Sequence, residues 1–428
     1  MHGELRQRIL RAFHGGRGPV LAAAASLLLC ASAPLGRACA QDGKTGAANQ
    51  EEERFKEVDP YTKGDPELVR RAGYESLKPF PFAPGIQSQD LREVLGGIEL
   101  LWAETKHFKI CSSLQTYKSK ADALENAALD KEFAVLASRI PGFKAPRNRK
   151  LDPWLRLHLY ALRLEALHEE LLLRTGFQDA DFPPAGATTP MGSGPFLGQP
   201  HKPTILLAEK GSALGRFNLR YLKSDETRVH RAMLPGGSMF VGISAEAMRD
   251  NGYELDQTLH CALAATVVAN LLDGLRDSHW ATPLWLDMGL GHWFSRRIDT
   301  RFTYYAAGTT RTLDDDLHEW EPRVRGLLEN KFEYSWNDML GTLAWEQFTP
   351  QSHMLIWSRV DWMMQQKDAN LRAFFEPLTV NLSPGDNAAQ GGLQRERALV
   401  ALRAGFGRSP EECEAAWRAW VLKTYERK

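Results

Sequence analysis

The sequence predicts an α+β fold, a small mixed sheet with helices in the front half of the chain and a mainly helical back half. Short apolar runs bounded by Gly or Pro lie at residues 203–208 (PTILLA) and 238–244 (SMFVGIS) and are typical of strands. Beyond residue 244, apolar residues recur at helical spacing almost to the end of the chain. Apolar residues make up 43% and charged residues 25% of the 428-residue chain, the balance of a folded globular protein.

The amino terminus has the pattern of a secretory signal peptide. Several arginines precede an apolar stretch at residues 19–31, and the small-residue sequence ACA follows at residues 38–40. We expect a Sec-type signal peptide over residues 1–40, cleaved after Ala40, and therefore a secreted or periplasmic protein. Further along we find no stretch of about 18 apolar residues, so no membrane span is expected after cleavage.

Charge and cysteine usage exclude some classes of function. The chain has 53 basic and 53 acidic residues, and loss of a signal peptide with five arginines and one glutamate leaves it mildly acidic. The sequence has no cluster of basic residues of the kind that binds nucleic acid, so we expect no nucleic-acid partner. The cysteines that remain, Cys111, Cys261 and Cys413, are too few and too widely spaced for a disulfide framework.

The front half contains a lead-in and a strand-containing subdomain. Residues 41–68 are polar and rich in Lys, Glu and Gly, which predicts a flexible segment. The subdomain is expected over residues 69–245, where the alternating segment KHFKICSS at 106–113 predicts a half-buried strand. Apolar residues at helical spacing predict helices over 119–139 and 152–174, the second opened by an Asp-Pro pair.

A long irregular loop is predicted over residues 176–203, which hold six prolines and many glycines without an apolar period. We expect this loop to cross the surface, because irregular loops mostly do so without carrying a site. An insertion over a cleft is the alternative.

The back half, residues 246–428, is predicted to be a helical subdomain. Asp256 is the expected cap of its first long helix, and Thr282 with the following Pro is the expected start of the next. Near the carboxyl terminus, Ser409 and Glu412 are spaced as a capping box for the last helix.

The first two long helices of the back half each present a distinctive face. On the first, His260 shares a face with Ala264 and other apolar residues, so it is expected to point into a core or a dry cleft. On the second, Trp285, Met288 and His292 fall on one face. Methionine at such an aromatic-rich position is usually core filler.

These two helices resemble the active-site helices of gluzincin metallopeptidases in the peptidase MA clan. LHCALA at 259–264 stands where such enzymes carry HExxH, and PLWLDMGLGHWFSRR at 283–297 stands where they carry a P-x-W-L-x-E-G-L-A-x-Y-F helix. With a strand of the form HFKICSS and an ending of the form AGFGRSPEECEAAWRAWV, the likeness to secreted bacterial families of unknown function covers roughly residues 101–421. It implies a gluzincin-like fold.

The resemblance implies a degenerate active site. In active members two His and one Glu bind zinc, and a second Glu activates water. Of these, only the first His is matched, by His260, while Cys261 stands at the general-base position, Ala264 at the second His and Met288 at the third ligand. We therefore predict no catalytic residue, no metal ligand and no cofactor here.

Zinc remains an alternative, since a site could be rebuilt around His260 with His279, Asp287 or His292. A Cys261 nucleophile is a second alternative, although adjacent helix positions point about 100° apart and His260 is badly placed to activate it.

Three functions fit these observations. The favoured one is a catalytically inactive homologue that binds a peptide or protein segment, in an open groove lined by Trp285, Met288 and His292, or that serves a structural role in the cell envelope. The second is a peptidase-type hydrolase with a non-standard metal or Cys site near His260. The third is a purely structural scaffold with a filled cleft.

Overall fold

The computed structural model describes residues 55–120, 122–278, 282–303, 318–332, 334–342, 344, 347–379 and 390–427. The strands are β1 (Tyr74–Ser76), β2 (Leu101–Thr105), β3 (Lys109–Ser112), β4 (Tyr117–Lys118), β5 (Lys150–Leu151), β6 (Thr204–Ala208), β7 (His230–Met233) and β8 (Met239–Ser244). The α-helices are α1 (Pro66–Arg71), α2 (Ser88–Val94), α3 (Ala123–Arg139), α4 (Pro153–Thr175), α5 (Gly211–Tyr221), α6 (Ala245–Asp250), α7 (Asp256–Gly274), α8 (Leu284–Ile298), α9 (Trp320–Glu329), α10 (Trp336–Leu340), α11 (Pro350–Gln365), α12 (Leu371–Phe375), α13 (Gln390–Phe406) and α14 (Pro410–Thr424).

The predicted mixed sheet is present and has six strands in the order β1-β2-β3-β6-β8-β7. Its centre is parallel, because β6 pairs with β3 on one side and with β8 on the other in the same direction. Antiparallel pairs complete both edges, and a tight turn at residues 106–108 joins β2 to β3. The central strands β6 and β8 are buried along their whole length, as expected for apolar runs covered on both faces.

Several local predictions are confirmed. The strands predicted at 203–208 and 238–244 are β6 and β8, and the two front-half helices are α3 and α4. The capping box that opens α14 is formed: Ser409 N donates to a carboxylate oxygen of Glu412 at 2.6 Å. The strand predicted at 106–113 is shorter, because the chain turns at 106–108 before β3 begins.

Both long helices of the predicted motif form, but their predicted caps are wrong. Leu255 is the N-cap of α7, while the side chain of Asp256 is bound by arginines from α4. Pro283, not Thr282, is the N-cap of α8, and it offers no side-chain oxygen. The Asp256 carboxylate, which the local pattern predicted to cap the helix, instead forms ion pairs with Arg156 and Arg163.

Helix α7 runs through the interior of the protein. It packs against α4, α8, β7 and β8, and His260 is the one residue along this fully described helix that is not buried. Among the described residues, α7 and the turn that follows it, Asp256–Asp277, form the one helix long and apolar enough to cross a membrane. Because 89% of its apolar window is buried inside the protein, we assign it as a core helix.

The larger of the two hydrophobic clusters in the described part of the chain draws residues from both predicted subdomains, and the boundary near residue 245 stays a prediction. Residues 55–68, expected to be flexible, are instead ordered against α4. The Tyr61 hydroxyl donates to Asp152 at 2.5 Å, and buried Asp59 pairs with His158 at 3.1 Å. The predicted signal peptide lies outside the described residues.

Candidate functional site

Most of the positions assigned to a peptidase-type cleft are core residues. The prediction of an open groove along α8 is wrong. Trp285, Met288 and His292, which were expected to line it, are buried in a packed interior. His260 is partly exposed at the surface of α7. The other five positions are exposed by 1% or less: Cys261, Ala264, Trp285, Met288 and His292.

The environment of Cys261 disfavours a nucleophile. Its Sγ lies 3.5 Å from the Ser295 carbonyl oxygen on α8, to which the thiol donates. Burial raises the pKa of this thiol well above its usual value, and the nearby carboxylate of Asp299 raises it further. The residue is therefore held as a neutral thiol rather than as the reactive thiolate.

His292 is bound by a second histidine in the core. Its Nε2 lies 2.9 Å from Nδ1 of His353 on α11, and the edge of the Trp320 ring packs against it with ring centroids 4.9 Å apart. Burial lowers the pKa of His292 well below its usual value and lowers the pKa of His353 to about 4. Two neutral imidazoles that share a hydrogen bond account for this pair without a metal.

Within the described ranges, three metal-ligand side chains converge at one place, which does not include His260, so no rebuilt metal site surrounds it. Of the predicted partners, Asp287 is bound by Arg231, His292 by His353, and His279 lies outside the described residues. Although His260 keeps some exposed surface, its ring is largely shielded from water, which lowers its pKa, and the guanidinium of Arg163 lowers the pKa further.

A buried ion network stands one turn before His260. Asp256 accepts from Arg156 at 2.8 Å and from Arg163 at 2.7 Å. Burial alone would raise the pKa of Asp256, but these two guanidinium groups lower it to about 2. Arg163 also binds Glu132 on α3 at 2.8 Å, so the network joins α3, α4 and α7.

A buried pair of carboxylates links the carboxyl end of α7 to the first turn of α8. Arg231 on the edge strand β7 bridges Asp273 and Asp287, the latter at 2.6 Å. Burial raises the pKa of Asp287 to about 6 against the lowering effect of Arg231, and the like charge of Asp273 adds to the rise.

A cavity lies at the hairpin end of the sheet, where β2 joins β3. This feature, the hairpin-end cleft, has a volume of about 380 Å³. Its walls are residues 81–85 with Gln87, the β2–β3 hairpin at Glu104 and Lys109, Ser238, and loop residues Phe196 and 200–202. The loop expected to be a surface excursion therefore lines a cleft.

Two lysines of the cleft have different partners. The ammonium of Lys202 is fully engaged, with Glu75 at 2.6 Å, the Thr105 carbonyl at 2.7 Å and Glu104 at 3.1 Å. Lys109 donates one hydrogen bond, to the Pro81 carbonyl oxygen at 2.9 Å. Partial burial lowers the pKa of Lys109. The charge of Glu104 raises this pKa, and the charge of Lys202 lowers it.

His201 is the third basic group of the cleft and is half-buried. It makes no hydrogen bond with any residue that the structure describes. Partial burial lowers its pKa, and the ammonium of Lys109 lowers it further. Lys109 and His201 are thus two basic groups with free hydrogen-bonding capacity in the cleft.

A polar cluster stands beside the cleft at the tip of the β2–β3 hairpin. His107 Nδ1 is bound to Glu165 of α4 at 2.6 Å, and its Nε2 lies 3.1 Å from Asp179 of the loop. The His168 ring stacks on that of His107 with centroids 3.8 Å apart. The His168 side chain is 3% exposed.

The loop reaches this region through three closely packed glycines. A Cβ on Gly192 would lie 2.5 Å from Gly198, and one on Gly194 would lie 2.5 Å from the Gln199 carbonyl oxygen. Between them, Leu197 is buried in a left-handed conformation (φ 55°) and contributes to a crevice beside His107 and His168. The spacing G-x-G-x-x-x-G was a signal for this compact turn, although it does not tell which side chains the turn meets.

Comparison with known proteins finds no relative: no protein-family model, no curated protein and no solved structure matches the chain. The fold and the site therefore describe the protein only as a mixed α+β protein. It has a buried helix pair and a polar cleft at the hairpin end of its sheet. The gluzincin resemblance stays a prediction.

Proposed function

We propose that this protein is a secreted, non-catalytic binding protein whose hairpin-end cleft holds the carboxyl-terminal end of a peptide. The α7–α8 pair, gluzincin-like in its pattern, acts as a packed scaffold. The observation that carries the proposal is Lys109, a half-buried ammonium group with one protein hydrogen bond in an open cleft.

The cleft chemistry favours a carboxylate. Lys109 has three N–H donors and uses one on Pro81, so two are available to a ligand. His201 offers a further ring nitrogen. A bound anion would offset the burial that lowers the pKa of both groups, and this charge-assisted contact is stronger than a neutral hydrogen bond.

The size and lining of the cleft favour a short peptide end over a long extended segment. Its volume of about 380 Å³ is near the lower limit for ligand pockets, about 300–1,000 Å³. Phe196 and the prolines at 81, 84 and 200 supply apolar surface next to the basic groups. A single terminal side chain could pack there while its carboxylate meets Lys109.

Titration calorimetry tests this proposal with an acetylated tripeptide that ends in phenylalanine and has a free carboxylate. We expect binding that is lost for the carboxyl-terminal amide and weakened about tenfold or more by Lys109→Gln. Lys131→Gln, at an exposed position on α3, is the matched control and should bind as the wild type does. Succinate should bind weakly, because it lacks the side chain.

Equal binding of the amide, or of Lys109→Gln, would refute a carboxylate site. If succinate bound more tightly than the tripeptide, the proposed ligand would be a small organic acid and not a peptide.

The structural scaffold with a filled cleft is the second candidate, and the burial of Cys261, Ala264, Trp285, Met288 and His292 favours it. It differs in expecting no ligand at either end of the sheet. The hydrolase alternative is disfavoured because the thiol of Cys261 is neutral and His260 has no converging ligands in the described part of the chain.

A further inference from the structure

We propose that His107, His168 and Asp179 bind one divalent transition-metal ion of the zinc type, at a site separate from both the peptidase motif and the hairpin-end cleft. One ligand atom from each of the three residues lies within 4.8 Å of the others. The residues come from the hairpin tip, from α4 and from the start of the irregular loop, so the site joins three separate segments.

The donor set determines the class of metal. Two imidazoles and one carboxylate match zinc and similar ions, whereas magnesium and calcium prefer oxygen ligands alone. Bonds of about 2.1 Å at tetrahedral angles require donor atoms roughly 3.4 Å apart, which is within reach of modest side-chain rotation from the present separations. The stacked rings of His107 and His168 must open from their 13° interplanar angle to direct both lone pairs at one ion.

His168 is the independent sign of a ligand. It is 3% exposed, and no described residue forms a hydrogen bond with its ring. Its ring instead borders the narrow crevice that it shares with His107, Leu197 and Phe196.

Glu165 has the position of an orienting carboxylate. It accepts from His107 at Nδ1 (2.6 Å) and from the His107 backbone N–H (3.0 Å), which fixes the ring and directs Nε2 toward Asp179. Histidine ligands of metals are commonly held in this way by a carboxylate on the other nitrogen. A metal ion would take the position of the proton between Nε2 and Asp179, and that proton would go to solvent.

Binding would also move Lys106, whose ammonium group now contacts Asp179. Its side chain is 68% exposed and can return to water at little cost. The consequence of metal binding is structural: the ion would fasten the loop at Asp179 to the hairpin at His107, near the wall of the cleft at Phe196.

The test measures zinc bound by the purified full chain, stripped with a chelator, reloaded with zinc chloride and desalted. We expect one zinc per chain and a higher midpoint of thermal unfolding with zinc. Asp179→Asn and His168→Asn should lose both effects, and Glu165→Gln should bind about 10–100-fold more weakly. His201→Ala and His260→Ala are controls that should keep the zinc.

His168 is buried, so His168→Asn could disturb folding. Asp179→Asn controls for this, because Asp179 is partly exposed and its isosteric replacement leaves the core unchanged. Absence of stoichiometric zinc in the wild type would overturn the proposal. So would zinc that persists in both Asp179→Asn and His168→Asn, or zinc that is lost in His260→Ala. These readouts involve no peptide and are independent of the proposed function.

Discussion

Gly289 of α8 lies so close to α11 that a Cβ atom built on it would stand 2.5 Å from Cγ2 of Val360. A second side chain, Ile356, would be 3.0 Å away. In the sequence, this glycine follows Met288 and reads as part of a peptidase motif. In the structure, the absence of a side chain at Gly289 permits α8 and α11 to pack closely. Helix packing therefore explains the glycine without a peptidase function.

Gly289→Ala should therefore destabilise the protein by about 1–3 kcal/mol, because the core must move to admit a methyl group. Gly326→Ala on α9 is the matched control: nothing lies within 4 Å of its added Cβ. In that open position alanine should be neutral or stabilising by up to about 1 kcal/mol. Urea unfolding of both variants measures the difference, and equal stabilities would contradict close packing at position 289.

Asp256→Ala should cost about 3 kcal/mol or more of unfolding free energy, because it leaves Arg156 and Arg163 buried without their shared partner. Glu67→Ala, which breaks the exposed pair with Arg70, should cost less than about 1 kcal/mol. Chemical denaturation at neutral pH compares the two. A small loss for Asp256→Ala would mean that the network is not needed to join α4 to α7.

Asp287 gives the protein a predictable pH dependence. Its pKa is raised to about 6 in the folded state, so between about pH 4 and pH 6 the folded chain holds a proton that the unfolded chain has released. The stability from this group is full below about pH 4 and is lost as the pH rises through 6.

Replacement of Asp287 by Asn should remove this loss. Relative to the wild type, Asp287→Asn should become more stable by on the order of 2 kcal/mol between about pH 4 and pH 7. Asp250→Asn, at an exposed position, should show no such change. Denaturant unfolding across this pH range measures both, and a constant gap for Asp287→Asn would disprove the raised pKa.

Cys261 should not react in the folded protein. Its side chain is buried, and the thiol pKa is raised. Alkylation with iodoacetamide, followed by mass spectrometry of the peptide that contains Cys261, should give label only after denaturation. Cys413, also buried with a raised pKa, serves as an internal control. Rapid labelling of Cys261 alone in the native state would revive the hydrolase alternative.

The sequence predicted elements well where the signal was local. The periods of β6 and β8, the Asp152 cap of α4 and the box at Ser409 each depend on neighbouring residues, and all form as expected. Asp256 failed as a cap because arginines 93 and 100 residues away in sequence claim its carboxylate. Local patterns contain no information on such partners.

The site was missed for a related reason. The helix pair stood out because its motif is contiguous, whereas Lys109, His201 and the His107–His168 stack are joined by the loop and by the parallel pairing of β3 with β6. The burial of Met288 agreed with its expected use as core filler. His168 had no visible partner in the sequence, since its neighbour in space is 61 positions earlier.

We propose that a ligand binds at the hairpin end of the sheet and not at the α7–α8 pair. Hydrogen–deuterium exchange with and without the carboxylate tripeptide distinguishes these two places, because it reports on all segments at once. We predict slower exchange at residues 81–87, 104–109 and 196–202, with no change at 256–264 and 284–292. Protection confined to 256–264 and 284–292 would contradict the claim and return the site to the peptidase-like helices.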